Sequence, residues 1–121
     1  MASNEQNFAK HPHHARKATL DEASALLPSP EAKPRSASVF RHGSMLVKLF
    51  APRGADVQTP HKQDELYFVA RGSGWFVNGD TRTRFASNDM LFVPANVVHR
   101  FEEFSDDLMV WVVFYGPEGG E

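Results

Sequence analysis

The sequence predicts an all-β fold, a single double-stranded β-helix (jelly-roll) barrel preceded by one short helix. Three observations predict it. From Ala37 to Tyr115 the chain is a series of short runs rich in Val, Phe, Leu and Trp, the residue types that fit a half-buried pleated surface. Turn-forming residues break these runs at intervals of about 8 to 12 residues, the rhythm of a sandwich or barrel. So many strands with so little helix would leave exposed edges unless the sheet closes on itself.

The elements follow in order. The first 17 residues are polar and without periodicity, and are expected to form a flexible arm; "HPHH" at 11–14 resembles a metal-binding cluster, but its setting reads as a solvated tail. In "TLDEASALLP", Thr19 and Glu22 make a capping box, Asp21 and Glu22 suit the positive end of the helix dipole, and Pro28 ends the helix, giving a span of about 19–27. "PSPEAKPRS", residues 28–36, is a proline-rich connector. Strands are predicted at 38–42, 44–51, 65–70, 74–79, 81–86, 90–94, 97–103 and 108–115. "RHGS" and "NGDT" read as tight hairpin turns, with Asn78-Gly79 suited to a type I′ turn. "RGSG", "SND" and "FSDD" supply further turns. The domain reading is therefore an arm with a short helix over 1–36, a barrel over 37–115 and a loose tail over 116–121.

Composition narrows the function. The 121 residues carry a formal net charge of −2, which gives no electrostatic reason to expect nucleic acid or an anionic membrane as partner. No apolar run approaches the roughly 20 residues that span a bilayer. The first residues lack the apolar centre of a secretory signal, so a cytoplasmic location is expected. There are no cysteines, which excludes disulfides, thiolate metal sites and cysteine nucleophiles. A metal would have to be held by nitrogen and oxygen.

One stretch carries such ligands. "PHKQDELYFVARGSG" places His61 and Glu65 four residues apart, just before an apolar run. Polar residues entering a buried strand are costly unless something binds them. Alternation puts Thr59, His61, Gln63 and Glu65 on one face, continuing through Tyr67. In "MLFVPANVVHRF", His99 stands two residues before Phe101 in another strand. If the two strands are neighbours, His61, Glu65 and His99 converge. Two imidazoles and a carboxylate are the facial set of non-haem Fe(II) oxygenases, and the same set can hold Mn, Ni or Zn.

Those two stretches resemble the two signature motifs of the cupin superfamily, in its small single-domain form. His61, Glu65 and Gly72 fall on the last three positions of the first motif, and Asp89, Pro94 and His99 match the second. The resemblance covers roughly residues 37–115 and implies a small β-barrel with an internal metal site, usually dimeric. Two features depart from it. Thr59 stands where the motif has its first histidine, and Asn88 and Asn96 replace motif glycines, although Asn tolerates positive φ. The missing fourth ligand is assigned to Gln63, which shares the parity of His61 and Glu65. Gln58, which would need an irregular backbone, Thr59 or a water are the alternatives.

Thr59, Tyr67 and Phe101 are the pocket candidates, since small-molecule sites are largely apolar with few polar groups. Trp75, Phe76, Phe92 and Trp111 are read as core, Arg71, Arg82 and Arg84 as exposed, and His42 as a structural turn residue. The expected function is a mononuclear metal-dependent enzyme of dioxygenase or isomerase type, acting on a small organic molecule. The alternative is a non-catalytic small-molecule binding or sensing module. The expected partners are a small-molecule ligand and a second copy of the chain. No residue stands out as a general base.

Overall fold

Thr19 opens the first element. Its Oγ1 accepts the Glu22 N–H at 3.0 Å while Glu22 Oε1 accepts the Thr19 N–H at 2.9 Å, so both halves of the expected capping box form. The computed structural model describes residues 17–121; the arm before them, including "HPHH", lies outside the described residues. Helix α1 spans Leu20–Ser24, shorter than predicted. Its last turn continues as tighter bonds, Leu26 N–H to Ala23 O and Leu27 N–H to Ser24 O, both 3.1 Å.

Eight strands follow, one for each predicted run: β1 (Ser36–His42), β2 (Met45–Phe50), β3 (Asp64–Arg71), β4 (Gly74–Asn78), β5 (Thr81–Phe85), β6 (Met90–Val93), β7 (His99–Glu102) and β8 (Met109–Tyr115). They form two antiparallel sheets, one ordered β1-β2-β8-β3-β6 and one ordered β5-β4-β7, with 44% of the described residues in strands. This is the double-stranded β-helix, or jelly roll, expected from the strand pattern together with the resemblance. Among the described residues, no helix is long and apolar enough to cross a membrane.

Register decides which side chains meet. Across the larger sheet Glu65 pairs with Phe114 on one side and Val93 on the other. Tyr67 pairs with Val112 and Leu91, and Val112 in turn with Lys48. This face looks inward, where Tyr67, Val69, Phe76, Phe85 and Phe101 form the main core. The opposite face of β1, β2 and β8 carries Val39, Leu49 and Trp111 and is covered by Leu20, Ala23, Leu26 and Leu27 of the α1 segment. The helix is thus a lid on the outside of the barrel, remote from its interior face.

One turn and the closing segment differ from the prediction. Asn78 pairs with Thr81, so the hairpin's central residues are Gly79 and Asp80, and only Gly79 has positive φ, at 60°. That is the pattern of a type II′ turn with Gly first, in place of type I′. Asn88 and Asn96 do take positive φ, 76° and 68°. The closing segment, expected to be loose, is tied down by Asp64. Its Oδ2 accepts the Glu121 N–H at 3.0 Å and its Oδ1 the Ala95 N–H at 2.9 Å, while Gly119 N–H reaches Lys62 O at 2.7 Å.

Candidate metal centre

Glu65 and His99 come from strands of different sheets, and His61 from the irregular segment that leads into β3. Glu65 is 1% exposed and His99 2%, whereas the His61 side chain is 34% exposed. The His61 ring packs edge-on against Phe114, centroids 4.9 Å apart, and lies 5.2 Å from the His99 ring. One ligand atom from each of the three residues falls within 4.8 Å of the others. Glu65 Oε1 is 3.1 Å from His99 Nε2 and 4.0 Å from His61 Nε2.

The chemistry of this cluster fits a metal. Neither Glu65 oxygen receives a hydrogen bond, although an orphaned buried acceptor is costly. His99 Nδ1 lies 2.9 Å from Val97 O, so the neutral ring that donates its one proton there gives Glu65 none and aims a lone pair on Nε2 at the carboxylate, whereas only the imidazolium donates to both. Such a carbonyl-anchored tautomer is the usual state of a metal-binding imidazole. Ligand atoms about 2.1 Å from one ion stand ~3.0 Å apart at a right angle and ~3.4 Å apart at the tetrahedral angle; Glu65 and His99, 3.1 Å apart, match this, and His61, 4.0 Å from Glu65, stands farther off.

The two imidazoles are biased in opposite directions. Burial is the largest influence on His99 and lowers its pKa, but the bond that a protonated Nε2 makes to Glu65, the Val97 carbonyl and the charges of Glu65 and Asp56 together raise it. His61 is lowered, mainly by burial, with Glu65 opposing and the positive neighbours His99 and Lys48 adding to the fall. Burial and the Glu65 charge push the Tyr67 phenol well above its usual value, so it stays protonated.

The glutamine that faces the cluster is Gln58, not the expected Gln63. Gln58 Oε1 is 3.1 Å from His99 Nε2, 3.3 Å from His61 Nε2 and 3.3 Å from the Tyr67 hydroxyl, which donates to it. Its amide is fixed by Asp56, whose Oδ2 accepts Gln58 Nε2 at 2.6 Å and the Phe101 N–H at 2.9 Å. Gln63 turns the other way, donating to Ser44 O at 3.0 Å and Gly116 O at 2.8 Å. The parity argument fails there because β3 begins only at Asp64, so alternation does not extend back through 59–63.

Beside the cluster opens a cavity of about 330 Å³, walled by Phe50, Val57, Val112 and Phe114 and floored by His61, Glu65 and Gln58. Thr59 and Tyr67 line it as expected. Phe101 does not. It is packed behind Tyr67, ring centroids 5.1 Å apart, as part of the core. Arg82 and Arg84 lie over the outer face of Trp75, exposed as predicted.

An eight-stranded double-stranded β-helix with a His-Glu-His cluster facing an internal cavity defines a cupin-type barrel. Residues 46–115 match the cupin domain family Cupin_2, and the chain belongs to that family. An uncharacterized protein of Streptomyces coelicolor is 42% identical over 81 residues, 65% of this chain and 77% of that one. Among solved structures, a double-stranded β-helix protein from Klebsiella pneumoniae superposes with a TM-score of 0.70 at 16% identity, covering 88% of this chain and 95% of that one. A cupin 2 conserved barrel protein from Rhodopseudomonas palustris gives 0.61 at 19% identity, over 75% and 68% of the two chains.

Proposed function

We propose that this protein is a mononuclear metal-binding cupin in which His61, Glu65 and His99 hold one divalent transition metal, Gln58 completes the set, and a small organic molecule binds above it. The observation that carries this reading is the buried Glu65 carboxylate, without a hydrogen-bond donor of its own and facing two imidazole nitrogens. A bound metal would supply Lewis-acid polarisation of a ligand oxygen, or one-electron chemistry if it is iron. The chain's own residues do the rest. The apolar walls exclude water from the ligand's body, and Tyr67 and Asp56 hold Gln58 in place from its two ends. Protein purified without nickel or chelator, analysed by mass spectrometry, should carry about one equivalent of metal, and His99→Ala should lose it. Less than about a tenth of an equivalent, unchanged by reconstitution, would count decisively against the reading.

Whether turnover follows is a separate matter. An enzyme of dioxygenase or isomerase type and a non-catalytic binding module share this site. The binding-module reading draws support from Tyr67, whose phenol is held protonated with its proton donated to Gln58, so it does not serve as a general base. Stabilisation by a ligand that the metal-loaded protein leaves unchanged would favour it. The homodimer belongs to the same proposal: Phe68, Met90 and Phe92 are 39%, 56% and 48% exposed and adjoin one another on the outer face of β3 and β6, a patch suited to a second copy. Light scattering on a size-exclusion column tests it, and a monomer at every concentration would remove it.

A further inference from the structure

On β2 the inward-facing positions are Leu46, Lys48 and Phe50, standing opposite Phe114, Val112 and Val110 of β8. The middle one is a lysine. Because Val112 also stands opposite Tyr67, Lys48, Val112 and Tyr67 form one row across the barrel's interior, adjoining the row that holds Glu65. An ammonium on such a face is expensive to desolvate unless an anion meets it. Among the described residues Lys48 has no hydrogen-bond or ion-pair partner. The cavity's other lysine differs, since Lys33 Nζ is bound to the carbonyls of Arg53 and Ala55.

Lys48 also stands at a junction. It lines both the inner cavity and a neighbouring outer cleft of about 540 Å³, which shares His61 and Phe114 with the cavity and adds Arg41 and Lys62. Among the described residues that cleft's wall carries Arg41, Lys48 and Lys62 against Glu118, an excess of cations that favours anions there.

We propose that Lys48 selects the ligand: a small organic acid whose apolar body fills the inner cavity and whose carboxylate pairs with Lys48 where cavity and cleft meet. This rests on the metal-centre reading for the ligand's other end, but Lys48 itself acts without metal. The test compares benzoate and hexanoate with their neutral amides, benzamide and hexanamide, by calorimetry on zinc-loaded and on EDTA-treated protein. Zinc content is measured in parallel. The acids should bind the wild-type chain about tenfold or more tightly than the amides, in both forms. Lys48→Met should erase that preference at unchanged zinc content, and Lys48→Arg should keep it. A preference that survives in Lys48→Met would place the carboxylate on the metal and overturn the proposal. So would equal binding of acid and amide by the wild-type chain, or no acid binding up to ~10 mM. Failure to take up zinc would instead strike the metal-centre reading, leaving the EDTA-treated comparison to decide on Lys48.

Discussion

Oε1 of Gln58 stands 3.1 Å from Nε2 of His99, although Gln58 lies in an irregular segment and His99 in a strand of the smaller sheet. The same oxygen is 3.3 Å from His61 Nε2, so it closes the ring of donors that Glu65 begins. Gln58→Ala is expected to weaken zinc binding by about 10- to 100-fold. Gln63→Ala, which removes only bonds to Ser44 O and Gly116 O, should leave it unchanged. A chelator competition titration of both variants checks this, and the opposite ranking would restore Gln63 as the ligand.

Asp56 is what makes Gln58 usable. One carboxylate oxygen holds the Gln58 amide nitrogen and the Phe101 N–H, and Phe101 is buried. Asp56→Ala therefore leaves a buried backbone donor unsatisfied, at a cost of about 1 to 3 kcal/mol, and frees the Gln58 side chain to rotate. Urea unfolding of the metal-free variant should show the first effect. A roughly tenfold loss of zinc affinity should show the second, and Gln58→Ala in the same background should then add little, because the two residues act as a unit.

These two residues also mark where reading the sequence stops. Glu65, Tyr67 and His99 sit in or at the start of regular strands, so period-two alternation places them from sequence alone, and the turn asparagines 88 and 96 were legible from backbone chemistry. Gln58 was not, because residues 51–63 lack strand geometry and its aim depends on Asp56, an acid with no local signature. Lys48 was legible in principle: in "MLVKLF" it shares the parity of Leu46 and Phe50, and a lysine in an inward-facing triplet is a signal. The tail was misjudged for a related reason, since its anchor, Asp64, lies far away in sequence.

Gly72 is required by geometry, whereas Gly43 is only preferred. Gly72 has φ +100°, and a Cβ there would stand 2.8 Å from the Leu108 Cα and 2.8 Å from Ser105 Oγ. Gly43 has φ +56° with open space around it. Gly43→Ala should cost about 1 to 2 kcal/mol for the left-handed conformation. Gly72→Ala should cost about 3 kcal/mol or more, since backbone must also move. Urea midpoints for the two variants decide, and equal costs would mean that the β3–β4 turn yields easily.

Metal affinity should depend on pH through His99 before His61. The folded pKa of His99 is raised above 6.5, so in metal-free protein its imidazolium contributes stability that is complete below pH 6.5 and lost as pH rises through the raised value. A metal must displace that proton. His61 is lowered from 6.5 and is already neutral near pH 7. Apparent zinc affinity should therefore fall by about tenfold per pH unit on acidification just below the raised His99 value, one proton per metal. The steeper two-proton slope should appear only at lower pH, below the His61 value. Competition titrations at closely spaced pH values check the sign and the slope, and a two-proton slope at neutrality would contradict the opposed shifts.

Glu65 offers a test in which one substitution acts in opposite directions. Its carboxylate is 1% exposed, and above the raised His99 value, where that ring is neutral with its proton on Nδ1 toward Val97 O, it lacks any donor, an arrangement that costs stability while no cation is present. Glu65→Gln keeps the size of the side chain, removes the charge and adds two N–H donors, one of which can meet His99 Nε2 or Gln58 Oε1. In EDTA-treated protein, at a pH above the raised His99 value, the variant should therefore be more stable than the wild-type chain by about 1 to 3 kcal/mol, seen as several degrees in Tm. In excess zinc the order should reverse, because only the wild-type chain gains the stabilisation that follows from binding a ligand to the folded state. A variant less stable in both conditions would mean that Glu65 is satisfied by the protein alone, and the reason for placing a metal there would be gone.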